Sequence, residues 1–232
     1  MISTTLLTVL VVGETILVIC AIFAMLWSQQ RTAAEGRAAI IAVVMLALWG
    51  STDIALALRG SFRPPDDLSP PPVGFALAGV LIVLAVALVT SRSLRRLLTN
   101  QPNLCRIHLW RLLGLVFLAL MVDGQVPALW ALPAGTGDLI VGATAFRMAR
   151  VVDSPGGRRS TIIWHLFGVT DLIVAISLGI MTNPGPAGVF VTTPPAELLT
   201  KFPLALVPTM LVPLAFTLHI VSLWQLTGRK WV

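Results

Sequence analysis

Charge is scarce in this sequence. Lysine and arginine number 16 and the acids 10, so 11% of 232 residues are charged while 56% are apolar. Soluble domains carry about 25% charged residues. A chain of this length buries a large core, but here too few polar side chains remain to cover it, and the bilayer is the better solvent. Cysteine is nearly absent: Cys20 and Cys105 are the two, in neither CxxC nor zinc-type spacing. Both are read as buried, inert thiols on the reducing side. There is no P-loop, GxGxxG, GxSxG or glycosylation sequon. The two lysines, Lys201 and Lys230, both fall outside the apolar runs, which excludes a retinal-type Schiff base. The net charge of +6 comes without an aromatic–basic stripe or a nucleic-acid motif, so no nucleic-acid partner is expected. The opening MISTTLLTVL lacks a basic stretch and a cleavage site, and reads as the start of a retained span.

What is present is long apolar runs. Seven stand out, at about Thr4–Ser28, Arg37–Leu58, Val73–Thr90, Ile107–Val122, Pro127–Val151, Thr161–Thr182 and Pro203–Leu226. A spanning helix needs about 20 such residues. Runs this continuous are not the alternating segments of about 10 residues that build membrane barrels. The fold class predicted is all-α: a polytopic integral membrane protein of seven transmembrane helices, one domain over residues 1–232, with the bilayer as its first partner. Counting Arg111 near the inner mouth of span four, and the terminal Arg229 and Lys230, thirteen basic residues fall in alternate loops and at the C-terminus. Only Arg59, Arg63 and Lys201 fall in the others. Positive charge stays inside, which puts the N-terminus outside and the C-terminus in the cytoplasm of a cell (inner) membrane, multi-pass. Trp27, Trp110, Trp224 and Trp231 are placed at the inner interface. In the last exterior loop, Thr193 is expected to cap a short surface helix with Pro194 first and Glu197 and Lys201 paired. The basic stretch Ser91–Arg106 is expected to lie along the headgroups.

Against this background, carboxylates inside the runs demand explanation. WGSTDIALAL, PAGTGDLIVG and FGVTDLIVAI carry Asp53, Asp138 and Asp171, and Glu14 and Asp123 join them. One charge at mid-bilayer costs at least ~2.5–3.5 kcal/mol, so these groups are paired, protonated or in a wet cavity. Helix rise places Glu14, Asp138 and Asp171 about 15 Å below the exterior end of their spans and Asp53 about 8 Å. Asp123 sits at the rim, where it can simply be solvated. Two structural readings stand beside a functional one. Pro133, Gly135 and Gly137 can break span five and make Asp138 a capping acid. Asp53 and Asp171, with adjacent Gly50 and Gly168 and nearby hydroxyls, can bind helix to helix. The functional reading is convergence: Glu14, Asp53, Asp123, Asp138 and Asp171 around an outward-opening pocket, with Trp49 and Trp130 in its wall, suited to a cation or a proton.

His108, His165 and His219 fall in the cytoplasmic half. They lack HxxxH or HExxH spacing, and are weak candidates for a metal or haem; no cofactor is assigned. Arg111 is expected to snorkel to the interface. Pro208 and Pro213 should kink span seven. Three functions follow. The first is binding, and translocation, of a proton, cation or small protonatable molecule. The second is a membrane enzyme using carboxylate acid/base chemistry on a lipid or isoprenoid. The third is a structural or partner subunit. The ligand expected is accordingly a small cationic or lipid-like one.

Overall fold

The computed structural model describes residues 2–64 and 71–228. It is all-helical, with no strand among the described residues. Local chemistry sets the helix starts. α1 (Thr4–Gln29) begins where the Ser3 hydroxyl accepts the Leu6 N–H. α2 (Ala33–Leu58) opens on a capping box: Thr32 accepts from Glu35 N–H, and the Glu35 carboxylate reaches back to the Thr32 N–H. α3 (Pro72–Thr90) has proline at its first position, where no N–H is missed. Two short helices follow, α4 (Arg92–Leu97) capped by Ser91 and α5 (Gln101–Arg106) capped by Asn100. A tighter 3-10 stretch, Ile107–Leu113, leads into α6 (Gly114–Val122). α7 (Ala128–Val151) and α8 (Gly157–Met181) are long and regular. A 3-10 turn at Ala196–Thr200 and a wide π turn at Val207–Leu211 precede α9 (Val212–Leu226).

Six segments are long and apolar enough to cross a membrane: Thr4–Gln29, Ala33–Leu58, Pro72–Thr90, Gln101–Val122, Gly157–Met181 and Val207–Leu226. The protein is a plausible multi-pass membrane protein on that ground. α7 is long enough, but Asp138, Arg147 and Arg150, with its glycines and Pro133, dilute its apolar character. It is nonetheless central to the packing: α6, α8, α5 and the 3-10 stretch all pack on it. Leu6, Ile41, Ile82, Val122 and Leu132 stay exposed, an outer apolar belt that a lipid solvent tolerates.

Several expectations are corrected. Span four does not begin at Ile107. Helical structure runs from Gln101 to Val122, so Arg111 stands at mid-segment, not at the mouth. Only the first part of Ser91–Arg106 is left as a connecting stretch. Span five is unbroken at Gly135 and Gly137, so Asp138 is not a cap. Pro133 is the sixth residue of α7, and its missing N–H deprives only the Leu129 carbonyl. Thr193 caps nothing: Pro195 precedes the short 3-10 turn without a side-chain cap. The expected Glu197–Lys201 pair is present at 2.9 Å. Trp110 is buried rather than interfacial, and Cys20 is exposed on α1. Arg229, Lys230 and Trp231 lie outside the described residues.

Candidate functional site

The largest fully buried side chain is Arg111, from the 3-10 stretch between α5 and α6. A 3-10 segment inside a longer helix often marks strain or function. Arg111 does not reach an interface. Its Nε donates to Asp138 Oδ1 of α7 at 2.5 Å, and its Nη2 donates to Asp171 Oδ2 of α8. Three helical segments are thus pinned by one guanidinium, whose rigid fork suits two carboxylates. Sequence reasoning missed Arg111 by assigning it to the inner loop count. A signal was available: a cation four residues into an apolar run, facing acids that needed a partner.

Two glycines make the approach possible. A Cβ on Gly137 would fall on the Asp171 carboxylate, and one on Gly168 would fall on the His219 ring. Both positions are facing sides of packed helices, and only a hydrogen leaves room for the charged groups between them.

The histidines, assigned to an inner half with no spacing logic, meet at this same centre. His108, His165 and His219 are each fully buried, on three different elements. Arg111 Nη1 lies 3.1 Å from His219 Nε2, His219 Nδ1 lies 2.7 Å from His165 Nδ1, and His165 Nε2 lies 3.9 Å from Cys105 Sγ. These contacts fix the tautomers. Arginine only donates, so His219 Nε2 accepts and its proton is on Nδ1. His165 Nδ1 then accepts, which puts its proton on Nε2, towards Cys105. His108 stacks on His219 with ring centroids 3.8 Å apart, and neither of its nitrogens has a hydrogen-bond partner.

The three imidazole ligand atoms lie within 4.8 Å of one another, near enough for a metal. Arg111 opposes that use. A metal on His219 Nδ1 would place a proton on Nε2, where it would face the N–H of Arg111. The donor set fits a hydrogen-bonded chain better than an ion.

A cavity of about 90 Å³ reaches this centre from the side of the loops after α2 and α8. Phe62, Trp110, Phe117, Trp130, Asp138 and Asn183 are in its wall. The Trp110 indole N–H and the Asn183 side-chain oxygen are buried without partners, so the wall holds an unused donor and an unused acceptor. The Trp130 indole N–H is engaged, on the Ala175 carbonyl at 3.1 Å.

The other predicted residues do not join. Asp53 of α2 is fully buried and faces Thr209 and Trp49. Glu14 lines a separate groove with Leu10, Arg106 and Leu113. Asp123, after α6, accepts the Ile2 backbone N–H and the Gln125 amide at 2.6 Å. The convergence expected of five acids is therefore met by two, Asp138 and Asp171, around a cation that was not expected. Trp49 belongs to a larger apolar groove, of about 490 Å³, whose lining contains no acid.

Comparison with curated proteins and with solved structures gives no match. One family does match, over residues 70–227, a span that contains Arg111, Asp138, Asp171 and all three histidines but neither Glu14 nor Asp53. The chain, which that family covers for more than half its length, belongs to the family described as Domain of unknown function (DUF8737).

Proposed function

We propose that this is a seven-span protein of the cell (inner) membrane, with its N-terminus outside, whose buried Arg111–Asp138–Asp171 centre takes up one positive charge from the outer cavity and relays it inward. α7 is counted as the seventh span. The charged residues that dilute it are Asp138, paired with Arg111, and Arg147 and Arg150 in its last turns, where headgroups are within reach.

The observation that carries the reading is the charge count. Two carboxylates share one guanidinium, all nearly sealed from solvent. One negative charge is left over in a low-dielectric site, and burying it uncompensated is costly. A proton, a small cation or a small protonated molecule makes the centre neutral. The cavity supplies a path to Asp138 from one side. On the other side lies the His219–His165–Cys105 chain. An inward relay needs Arg111 to leave His219 Nε2, which then takes the proton from the acid side while its Nδ1 proton passes to His165.

Size supports this over acid/base catalysis on a lipid. Ligand sites for larger molecules occupy about 300–1,000 Å³, whereas the cavity at the acids is about 90 Å³. The groove large enough for a lipid chain has no carboxylate in its wall.

The test is proton flux in reconstituted vesicles containing a trapped pH dye. An imposed pH gradient should collapse faster with the wild-type protein than in empty vesicles. Asp138→Asn and Asp171→Asn should each cut that rate by about tenfold or more, and His165→Gln should cut it while leaving folding intact. Equal rates for wild type and both aspartate variants would reject the reading.

A further inference from the structure

Asp53 is a second buried acid, on a different pair of helices from the Arg111 centre. It is fully buried, and neither carboxylate oxygen has a hydrogen-bond partner. The polar side chains facing it are Thr209, in the π turn before α9, and Trp49, one turn earlier on α2. Each has a single hydrogen to give, and each has given it elsewhere. The Thr209 hydroxyl donates to the Ala205 carbonyl at 2.7 Å, and the Trp49 indole N–H donates to the Thr209 carbonyl at 3.2 Å. With those donors drawn to backbone carbonyls, the buried carboxylate, with the Thr209 hydroxyl oxygen beside it, is short of positive charge.

The backbone there is prepared in the same sense. Pro213 has no N–H, so the Thr209 carbonyl lacks its ordinary α-helical donor. The Val212 N–H goes to Val207 in the wide turn, not to Pro208. The chain has opened its helical bonding where Asp53 packs, and π turns recur at functional positions. Interrupted membrane helices use such released carbonyls and a nearby carboxylate to hold sodium-type ions.

We propose that Asp53 and Thr209 form a binding site for one hard monovalent cation of the sodium class, separate from the Arg111 centre. The ligand atoms are all oxygens, which select a hard ion. A single carboxylate balances a single charge. A proton is the competing occupant: it neutralises the carboxylate at low pH, and sodium replaces it at high pH. The site does not depend on the proton-relay reading, because no residue is shared between the two.

The experiment is thermal unfolding of the purified protein in detergent at pH 8, titrated with sodium against choline at constant ionic strength. Wild type should gain about 3–6 °C for each tenfold rise in sodium above its dissociation constant, as expected for a ligand that binds only the folded state. Asp53→Asn and Thr209→Val should abolish the gain, while Thr209→Ser and Asp138→Asn should keep it. Lowering the pH should erase the gain, because protons compete for the same carboxylate. Binding of radiolabelled sodium to wild type and Asp53→Asn gives the same readout if a variant unfolds too early to melt cleanly. A wild-type protein indifferent to sodium, or an Asp53→Asn variant with an unchanged response, would overturn the proposal. Loss of vesicle proton flux in Asp138→Asn with the sodium response intact would separate the two centres.

Discussion

A single side chain decides most of the electrostatics here. Arg111 has no solvent contact and, among the described residues, is neutralised by Asp138 and Asp171 alone. Removing one partner of a buried ion pair typically costs about 3–5 kcal/mol, because the survivor is left uncompensated, whereas replacing all members by neutral groups is often harmless. Arg111→Met is therefore expected to lower the melting temperature sharply. Adding Asp138→Asn and Asp171→Asn to it should recover most of the loss. A triple variant no more stable than the single one would show that the guanidinium packs rather than pairs. None of this pairing is local. Arg111 is 27 residues from Asp138, 60 from Asp171 and 108 from His219. Sequence periodicity speaks of neighbours within a turn or two, so the acids were visible as anomalies while their partner was not.

At the scale of elements, the long apolar runs were legible because a spanning helix must satisfy its own backbone. The irregular pieces were not. Nothing in Ile107–Leu113 announces a 3-10 stretch, and the helix start at Gln101 rests on Asn100 accepting the Asn103 N–H at 2.9 Å, a short polar signal in front of a mixed sequence. Pro133 was over-read, since a proline so near the start of α7 removes only one bond. Pro208 and Pro213 were expected to kink span seven; what the structure shows there is a π turn at Val207–Leu211, which was not foreseen. A further element-level contact can be tested by pH. The Ile2 N–H, and after it the Gln125 amide, holds the Asp123 carboxyl below the usual carboxylate range. A depressed value in the folded state stabilises above the unfolded value, near pH 3.9. That contribution fades as the pH falls through the lower folded value. Hydrogen exchange at the start of α1 should therefore speed up selectively below about pH 4 in wild type relative to Asp123→Asn at the same pH. Matching profiles would show that the tether contributes nothing.

For the whole molecule, the contacts agree with an alternating path. Ile2 meets the α6–α7 loop at one end. At the other end Arg158 Nε donates to the Leu226 carbonyl at 2.8 Å, and Gln101 meets Gln225 at 2.8 Å. If α7 is the seventh crossing, a reporter fused after Val232 lies in the cytoplasm. Green fluorescent protein should fluoresce there and alkaline phosphatase should stay inactive. The opposite pattern would mean either an even number of crossings or an inverted bundle, and inversion would reverse the direction assigned to the cavity.

The distribution of Arg111, Asp138 and Asp171 along the chain also constrains how the protein is made. The arginine emerges from the ribosome first, on a segment that an insertion machine has reason to reject, because a lone cation in hydrocarbon is unfavourable. Its first counter-ion follows 27 residues later. If α7 is a crossing, segment Gln101–Val122 is best released into lipid together with it, as a hairpin already neutral at its middle, and a nascent chain halted before Asp138 should stay beside the insertion channel while one halted after it moves out.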